Sequence, residues 1–413
     1  MITLLPPGWV STPLRVVLEF KYGKSLPEHS REEGPIPVFG SSGVVGTHTV
    51  AWTSGPTIVV GRKGTVGATH FSAGPCWPID TTYYVDDFGP LDPKFLTHQL
   101  RFMALGQHNT STAIPGLNRD IVYDQDVRIA PLPEQHRIVE AIEANFARLD
   151  EAVAGLERAW ANLARYRDNV LKEACEGRLI FSRASTTTLG EIAEIQGGIT
   201  LGKKRGQGER VRPVPYLRVA NVQRGRLDLS EMKSIPATEE EIGRLRLVRG
   251  DVLFNEGGDR DKLGRGWIWE DQLPECIHQN HVFRARVNSC MAFSKFISYY
   301  GNSVAQGYFW DEGKHTTNMA SINRTSLAAL PIRLPPLQTQ LDIVTEVERI
   351  LSISDEASVE VRKSLDRANH LRKSILEAAY SGHLVRQEPS DEPASALLER
   401  IKAERSRSAP RRR

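Results

Sequence analysis

The sequence is poor in cysteine, and its cysteines are scattered. Cys76, Cys175, Cys276 and Cys290 form no CxxC pair in a chain of 413 residues. This spacing argues against a disulfide framework or a zinc ribbon and is typical of a reduced compartment, so we expect a cytoplasmic protein. The chain also lacks an apolar run of the ~18–20 residues that a membrane helix needs. Its first ten residues lack the charged start and apolar stretch of a signal peptide.

Motifs that would make this chain an enzyme are also missing. The sequence holds no [ND]PP[YF] methyltransferase motif, no Walker-A loop with an acidic helicase box and no Gly-x-Ser-x-Gly elbow. It has no nuclease triad, because the only candidate, around Glu231 and Lys233, has its acid too close and lacks the strand context. We therefore expect a non-catalytic positioning protein whose partners supply any chemistry.

Net charge is low, but basic residues are clustered. The formal net charge is only +3. Residues 202–226 hold eight basic side chains against Glu209 alone, and residues 400–413 hold seven against Glu404 alone. Clustered positive charge indicates a polyanion such as DNA or RNA. A solvated loop followed by a disordered tail is the alternative.

One stretch of the chain occurs twice. Residues 132–179 align without a gap on residues 337–384, at a shift of 205, with 13 identities in 48 positions. Prolines stand at the start of each copy, where a missing N–H costs nothing, and Gly177 and Gly382 stand just past the end, where a left-handed cap needs glycine. The repeat therefore predicts two long helices.

Each predicted helix carries one coiled-coil seam, since apolar residues recur at alternate threes and fours. A rod of about 65 Å with a single apolar seam needs a partner helix, and its own repeat is the simplest one. We expect the helices to run antiparallel in a pseudo-twofold arrangement, with a globular head at each end. Arg167 and Arg372 interrupt the seams, and we expect them to pair with Glu348 and Glu143. The residues assigned to the spacer helices and to partner binding are Gln135, Phe146, Trp160, Arg167, Gln340, Leu351, Leu365 and Arg372.

The first head combines short β-rich runs, dense turn residues and one helical stretch at 92–105. Its most unusual piece is the glycine-rich run Gly61-Arg62-Lys63-Gly64-Thr65-Val66-Gly67. This run is not a nucleotide-binding P-loop, which needs GxxxxGK[ST]. Its N–H groups and cations could meet DNA phosphates, and a plain hairpin turn is the alternative.

The second head carries two polar stretches with base-reading chemistry, at 255–262 and 276–281. Asn and Gln pair with adenine, Arg and Lys with guanine, and acids accept from cytosine. The spacing of Cys276, His278 and His281 could also hold a metal, but no fourth ligand lies nearby in the sequence, so we expect none.

With these residues in view, the chain resembles the specificity subunits of Type I restriction–modification systems. The resemblance covers nearly the whole length. It rests on Leu132-Pro133-Glu134-Gln135, on the repeated helix ends at Gly177-Arg178-Leu179 and Gly382-His383-Leu384, and on head segments 37–43, 60–64, 250–255 and 278–281. The second repeat departs from the pattern at Leu337-Gln338-Thr339-Gln340, which keeps the glutamine and loses Pro-Glu.

The resemblance implies a mixed α+β fold with two α/β target-recognition domains on curved sheets, each reading half of a split DNA sequence. The expected segments are head 1 at 1–130, spacer helix 1 at 131–184, head 2 at 185–335, spacer helix 2 at 336–385 and a basic tail at 386–413. The DNA-contact candidates are Ser41, Ser42, Arg62, Lys63 and Thr65 in head 1, and Lys203, Lys204, Arg205, Arg218, Asn221, Asn255, Arg260, Lys262, Gln279, Asn280 and His281 in head 2.

The resemblance also implies partners. Two modification subunits would supply S-adenosylmethionine chemistry that methylates adenine, and two motor–nuclease subunits would use ATP and Mg²⁺. The chain itself would bind double-stranded DNA, no cofactor and no membrane. A two-headed DNA-recognition scaffold of another phage-defence complex, and a coiled-coil adaptor that binds only proteins, remain alternatives.

Overall fold

Turn residues divide the first 130 residues into short strands. The computed structural model describes residues 5–108, 116–202, 206, 209–258, 262–315 and 320–408. The strands of the first head are β1 (Val10–Pro13), β2 (Lys21–Tyr22), β3 (Ile36–Gly40), β4 (Gly43–His48), β5 (Thr57–Gly61), β6 (Thr69–Ser72), β7 (Trp77–Pro78), β8 (Thr82–Val85) and β9 (Asp126–Ile129). Its helices are α1 (Leu14–Val17), α2 (Pro93–Phe102) and α3 (Arg119–Tyr123).

These strands form small sheets over a main apolar core and two smaller buried clusters. The largest has the order β2-β8-β5-β6, a second has the order β4-β3-β7, and β1 pairs with β9. Helix α2 begins with Asp92 accepting hydrogen bonds from the N–H groups of its first turn, and its buried face packs on the sheet. Ile58, Leu96 and Leu100 are fully buried in this core. We call residues 10–130 head 1.

The first spacer helix, α4 (Leu132–Cys175), follows β9 after two residues and is 44 residues long. Beyond it come the strands of the second head: β10 (Ser185–Thr188), β11 (Ala193–Gly197), β12 (Arg212–Leu217), β13 (Val222–Gln223), β14 (Arg226–Leu227), β15 (Lys233–Ala237), β16 (Asp251–Asn255), β17 (Gly257–Gly258), β18 (Ile277–His278), β19 (Val282–Val287), β20 (Lys314–His315), β21 (Ala320–Ser321) and β22 (Pro331–Leu334). Its helices are α5 (Leu189–Ile192), α6 (Glu239–Leu245), α7 (Ser294–Asn302), α8 (Ala305–Glu312) and α9 (Arg324–Ala328).

The second head, residues 185–335, is called head 2. Its main sheets have the orders β11-β19-β16 and β15-β12-β18, and β10 pairs with β22. The sequence predicts strands at Asp251–Asn255, 266–269 and Val282–Val287, and the first and third are confirmed. Residues 266–269 form no named strand: Ile268 makes an isolated bridge to Val252, and the Trp269 N–H donates to the Asp251 carbonyl at 2.8 Å.

The second spacer helix, α10 (Leu337–Tyr380), is again 44 residues long, so the helical repeat is confirmed. Gly177 and Gly382 follow the two helices with φ of +75° and +76°, which is the left-handed geometry predicted for a glycine just past a helix end. Together with the sheets of both heads, these helices confirm a mixed α+β fold.

The sequence predicts a short helix at 395–405 in the basic tail, and the last helix, α11 (Ala394–Ser408), covers this stretch and extends beyond it. Its apolar side is not solvated: Ala394, Leu397 and Ile401 are buried in the core of head 1. The segment before it is also fixed, since Arg137 donates to Asp391 at 2.7 Å. Residues 391–408 therefore belong to the folded body around head 1, and the remainder of the tail, 409–413, lies outside the described residues.

The chain divides into two compact units, Met1–Leu156 with Lys363–Arg413, and Glu157–Arg362. Within the second unit, Arg167 pairs with Asp355 and the Arg362 guanidinium lies 5.4 Å from the ring centre of Trp160. Along these contacts the residue numbers rise in one helix and fall in the other, so the two spacer segments run antiparallel there. Within the described part of the chain, every helix is too short or too polar to span a lipid bilayer.

Candidate nucleic-acid interface

Both heads use the same backbone frame, although their side chains differ. In head 1, β3 runs parallel to β7 and β8 pairs with β5; in head 2, β12 runs parallel to β18 and β19 pairs with β16. Three backbone hydrogen bonds of 2.9 Å, each from an N–H to a carbonyl, then occur in both heads. In head 1 they run from Ile79 to Phe39, from Thr82 to Ile79 and from Arg62 to Thr81. The equivalent bonds in head 2 run from Gln279 to Leu217, from Val282 to Gln279 and from Glu256 to His281. Residues 79–81 and 279–281, called here the frame loops, are therefore equivalent, as are positions 62 and 256.

The glycine-rich loop at 61–67 is a hairpin turn that closes on itself. The N–H groups of Arg62 and Lys63 donate to the Thr81 carbonyl, and the N–H of Gly67 donates to the Gly61 carbonyl at 2.8 Å. A Cβ at Gly61 would lie 2.1 Å from the Thr65 carbonyl oxygen, so only glycine fits there. Most N–H groups of this loop are therefore used within head 1, so its side chains rather than its N–H groups are available to a ligand.

Ser41 fastens this loop to the neighbouring hairpin. Its side chain is buried, and its hydroxyl donates to the backbone carbonyls of Lys63 and Thr81. Ser42, Lys63 and Thr65 are exposed around it. The structure thus brings these four head 1 candidates together, with Ser41 as the interior support and Ser42, Lys63 and Thr65 at the surface.

Arg62 lies in an aromatic setting beside this loop. Its guanidinium carbon is 5.4 Å from the ring centre of Tyr22 and 5.9 Å from that of Tyr83, and one N–H donates to the Asp80 carbonyl at 2.6 Å. Arg119 lies 5.4 Å from the same Tyr22 ring. Burial and a hydrogen bond with Tyr22 raise the pKa of Tyr83 to about 12, so this phenol stays neutral. The guanidinium is held within cation–π distance of both rings, and its remaining terminal N–H groups can serve a ligand.

In head 2, the equivalent position holds an acid. The Glu256 carboxylate meets Nδ1 of His281 at 2.5 Å, and the His281 side chain is 54% exposed. Gln279 and Asn280 lie partly exposed in the same frame loop, and their amide side chains have no hydrogen-bond partner among the described residues. Three of the predicted head 2 contacts are therefore neighbours at one surface.

Three other head 2 candidates are used inside the fold. The buried Asn221 amide donates to the Asp228 carbonyl at 2.8 Å, and the buried Asn255 amide donates to the Val222 carbonyl at 2.8 Å. Arg218 is only 20% exposed and donates to the Glu231 carbonyl at 2.8 Å. Because these groups satisfy their own loops, we leave them out of the proposed DNA surface.

Four basic candidates, Lys203, Lys204, Arg205 and Arg260, lie outside the described residues. Lys262, at the edge of that gap, is partly exposed.

The histidine and cysteine spacing in head 2 does not form a metal site. Cys276 is buried in an apolar cluster, and Nδ1 of His278 donates to the Val282 carbonyl at 2.7 Å. Burial lowers the pKa of His278 to about 4, so the ring is neutral at neutral pH. Among the described residues, no three His, Cys, Asp or Glu side chains are placed to hold a metal.

The spacer candidates divide into buried anchors and partly exposed seam residues. Gln135 is fully buried; it accepts from the Asp92 N–H at 3.1 Å and donates to the Ala130 carbonyl at 2.8 Å. Gln340 repeats this with the Phe293 N–H and the Pro335 carbonyl. The seam residues Phe146, Leu351 and Leu365 are half-buried, and Trp160 is 39% exposed.

The predicted partners of the seam arginines are wrong. Arg167 pairs with Asp355 and Arg372 pairs with Asp150, in two symmetric contacts. Glu348 lies seven residues before Asp355, about 10 Å away along the helix. That glutamate and its repeat Glu143 instead pair with head lysines, Lys295 and Lys94. All four pairs are partly exposed.

Sequence reasoning missed several aromatic and basic residues at the head 1 surface. Tyr22 is 55% exposed, and Trp52 is 42% exposed with the Lys24 ammonium 4.2 Å from its ring centre. Tyr22 and Lys24 lie far from the glycine-rich loop in the chain. The alternation of basic and aromatic residues in Phe20-Lys21-Tyr22-Gly23-Lys24 is the one signal that could have indicated them.

No protein-family model matches the chain. The chain is 27% identical over 307 residues to the EcoKI specificity subunit of Escherichia coli K12, and 29% identical over 297 residues to the StySPI specificity subunit of Salmonella potsdam. Each alignment covers 68% of this chain, which spans just under two thirds, 64%, of the length of these two relatives. The EcoDI specificity subunit of Escherichia coli aligns over 98% of this chain and 97% of its own length, at 22% identity.

Solved structures show the same fold. A chain from a structure describing assembly and conformational transition of a type I R-M system matches with a TM-score of 0.70 at 19% identity, covering 92% of this chain and 99% of that one. The HsdS subunit from Thermoanaerobacter tengcongensis matches with a TM-score of 0.55 at 18% identity, covering 92% and 98%. The predicted resemblance to Type I specificity subunits is confirmed.

Proposed function

We propose that this chain is the specificity subunit of a Type I restriction–modification complex, which reads a bipartite DNA target and positions the subunits that modify and cut DNA. The observation that carries the proposal is the repeated frame of the two heads. The same backbone hydrogen bonds hold two frame loops, while the side chains at equivalent positions differ. One frame with two sets of side chains suits a protein that reads two unlike half-sites.

The charge and chemistry around each frame loop suit DNA. Head 1 surrounds its loop with Arg62, Lys63 and Arg119 and with the exposed Tyr22 ring. Cations hold phosphates and donate to guanine, while aromatic rings contact sugars and bases. Head 2 offers the amides of Gln279 and Asn280, which suit adenine.

The spacer helices offer a surface for a protein partner. Within the second unit, Tyr166, Ile353 and Val359 expose 50%, 55% and 52% of their area. A groove of about 160 Å³ between the two helices is lined by Leu163, Tyr166, Arg349, Ile350, Ile353, Ser354 and Ala357. Apolar surface of this kind favours a partner. We propose that two modification subunits bind the spacer helices and that two motor–nuclease subunits join them.

Catalysis belongs to those partners in this proposal. The modification subunits would use S-adenosylmethionine to methylate adenine, and the motor–nuclease subunits would use ATP and Mg²⁺. This chain would bind DNA and no cofactor, and would act in the cytoplasm, where those substrates are found. Its own contribution is to choose the sequence.

The proposal is tested by expressing the chain with the modification subunit of the same system in a host that lacks other adenine methylation. Sequencing that detects methylated adenine should reveal a target of two specified halves with unspecified bases between them. The modification subunit alone is the control and should leave this target unmethylated. A purified complex that methylates no such target, or a contiguous one, would refute the proposal.

A further inference from the structure

The two heads carry opposite chemistry at one equivalent position. Arg62 is the first residue after β5, and Glu256 is the first residue after β16. The N–H of each donates at 2.9 Å to the carbonyl of the last residue of its frame loop, Thr81 or His281. The register of the strand pairs is also the same in both heads. The last residue of β5 stands opposite the first residue of β8, and the last residue of β16 stands opposite the first residue of β19. The backbone therefore presents a cation in head 1 where it presents an acid in head 2.

In head 1, the side chain at this position is rigid and retains donors. The guanidinium lies against Tyr22 and Tyr83, and one N–H is bound by the Asp80 carbonyl. Nε of Arg62 is buried, so the donors that remain for a ligand are on the two terminal nitrogens, one of which also binds the Asp80 carbonyl. A guanidinium held beside aromatic rings with free terminal N–H groups suits a planar partner that accepts two hydrogen bonds.

In head 2, the side chain at this position is an acceptor fixed by a neighbour. The Glu256 carboxylate is 29% exposed, and His281 holds one of its oxygens. The second oxygen is an acceptor for a donor group. Gln279 and Asn280 stand beside it in the frame loop, so the surrounding surface is polar.

We propose that Arg62 and Glu256 are the equivalent base-reading residues of the two heads, an inference that rests on the proposed function. In the major groove, guanine offers O6 and N7 as a pair of acceptors, and cytosine offers the N4 amino group as a donor. Arg62 therefore specifies a guanine in one half-site, and Glu256 specifies a cytosine in the other. Each substitution should change one letter of one half of the target.

The experiment maps methylated targets for the wild-type complex and for complexes carrying Arg62→Gln or Glu256→Gln. Arg62→Gln should lower the preference for guanine at one position at least about tenfold, because glutamine pairs with adenine. Glu256→Gln should lower the preference for cytosine by a similar factor in the other half only. Lys63→Gln is the matched control, since loss of an exposed cation weakens binding for all sequences without changing letters.

Arg62→Lys provides a second test, because it keeps the charge and removes the planar fork. Arg62→Lys should also lower the preference for guanine, even if Arg62→Gln prevents assembly of the complex. Targets identical to the wild-type target for Arg62→Lys and Glu256→Gln would overturn the inference while leaving the proposed function intact. A wild-type complex without a bipartite target would instead overturn the proposed function.

Discussion

Gln135 and Gln340 offer the sharpest test of how each spacer helix is joined to its head. Each is fully buried and binds an N–H in the head and a carbonyl just before the helix, and Gln340 also donates to the Met291 carbonyl at 3.3 Å. Methionine has a similar volume and cannot satisfy any of these groups. Leaving a buried group unpaired costs about 1–3 kcal/mol, so the loss of the N–H and carbonyl partners should lower stability by about 2–6 kcal/mol.

Hydrogen exchange measured by mass spectrometry locates this cost. Gln135→Met should lower the protection of the segment around Asp92 at the start of α2, and Gln340→Met should do so around Phe293. Gln338→Met is the control, because Gln338 is exposed and its side chain bonds only Asp342 among the described residues, so its change should cost less than about 0.5 kcal/mol. If both buried substitutions behaved like this control, the reasoning about these anchors would be refuted.

Three further predictions concern pH, the spacer seam and the glycine-rich loop. Because burial holds the pKa of His278 near 4, below its ordinary value, unfolding takes up a proton below about pH 6.5. Stability should therefore fall by up to about 3 kcal/mol as pH drops from 6.5 to 4, and urea titrations of His278→Asn should show a flatter pH dependence. The partly exposed pair of Arg167 and Asp355 should show a coupling energy below about 1 kcal/mol in a double-mutant cycle; a value above 2 kcal/mol would contradict this. Thermal unfolding should show a larger loss of stability for Gly61→Ala than for Gly64→Ala. The Cβ at position 61 meets a backbone oxygen, whereas position 64 has open space and only a strained φ of +79°. The reverse order would contradict the structure.

The long helices could be predicted because the segment that forms them occurs twice in the sequence. Prolines, glycines and apolar spacing fall at equal intervals in both copies, and each signal has a local cause. The partners of Arg167 and Arg372 could not be predicted the same way, because an antiparallel register depends on how two helices settle against each other. A shift of seven residues preserves the seam, so the sequence allowed Glu348 where the fold places Asp355.

The likeness of the two heads was hidden from the sequence for a different reason. Their frame is made of backbone hydrogen bonds, which almost any side chain permits, so residue identity need not survive. The same limit applies to polar loop residues. Asn255 ends a strand, as a base-reading residue could, yet its amide donates to the Val222 carbonyl inside the head. Only coordinates separate an amide that supports its loop from one that faces outward, as Asn280 does.

The most direct measurement is methylation mapping with a duplicated head. Residues 13 and 188 directly precede α1 and α5, and the first N–H of each of these helices donates to the carbonyl of residue 125 or 330. The two heads therefore begin and end at equivalent backbone positions, so residues 188–330 can be replaced by residues 13–125. If each head reads its own half-site, this chain, with its modification subunit, should methylate a target whose halves have the same letters, those read by head 1. Methylation that retained the wild-type letters in both halves would contradict the account.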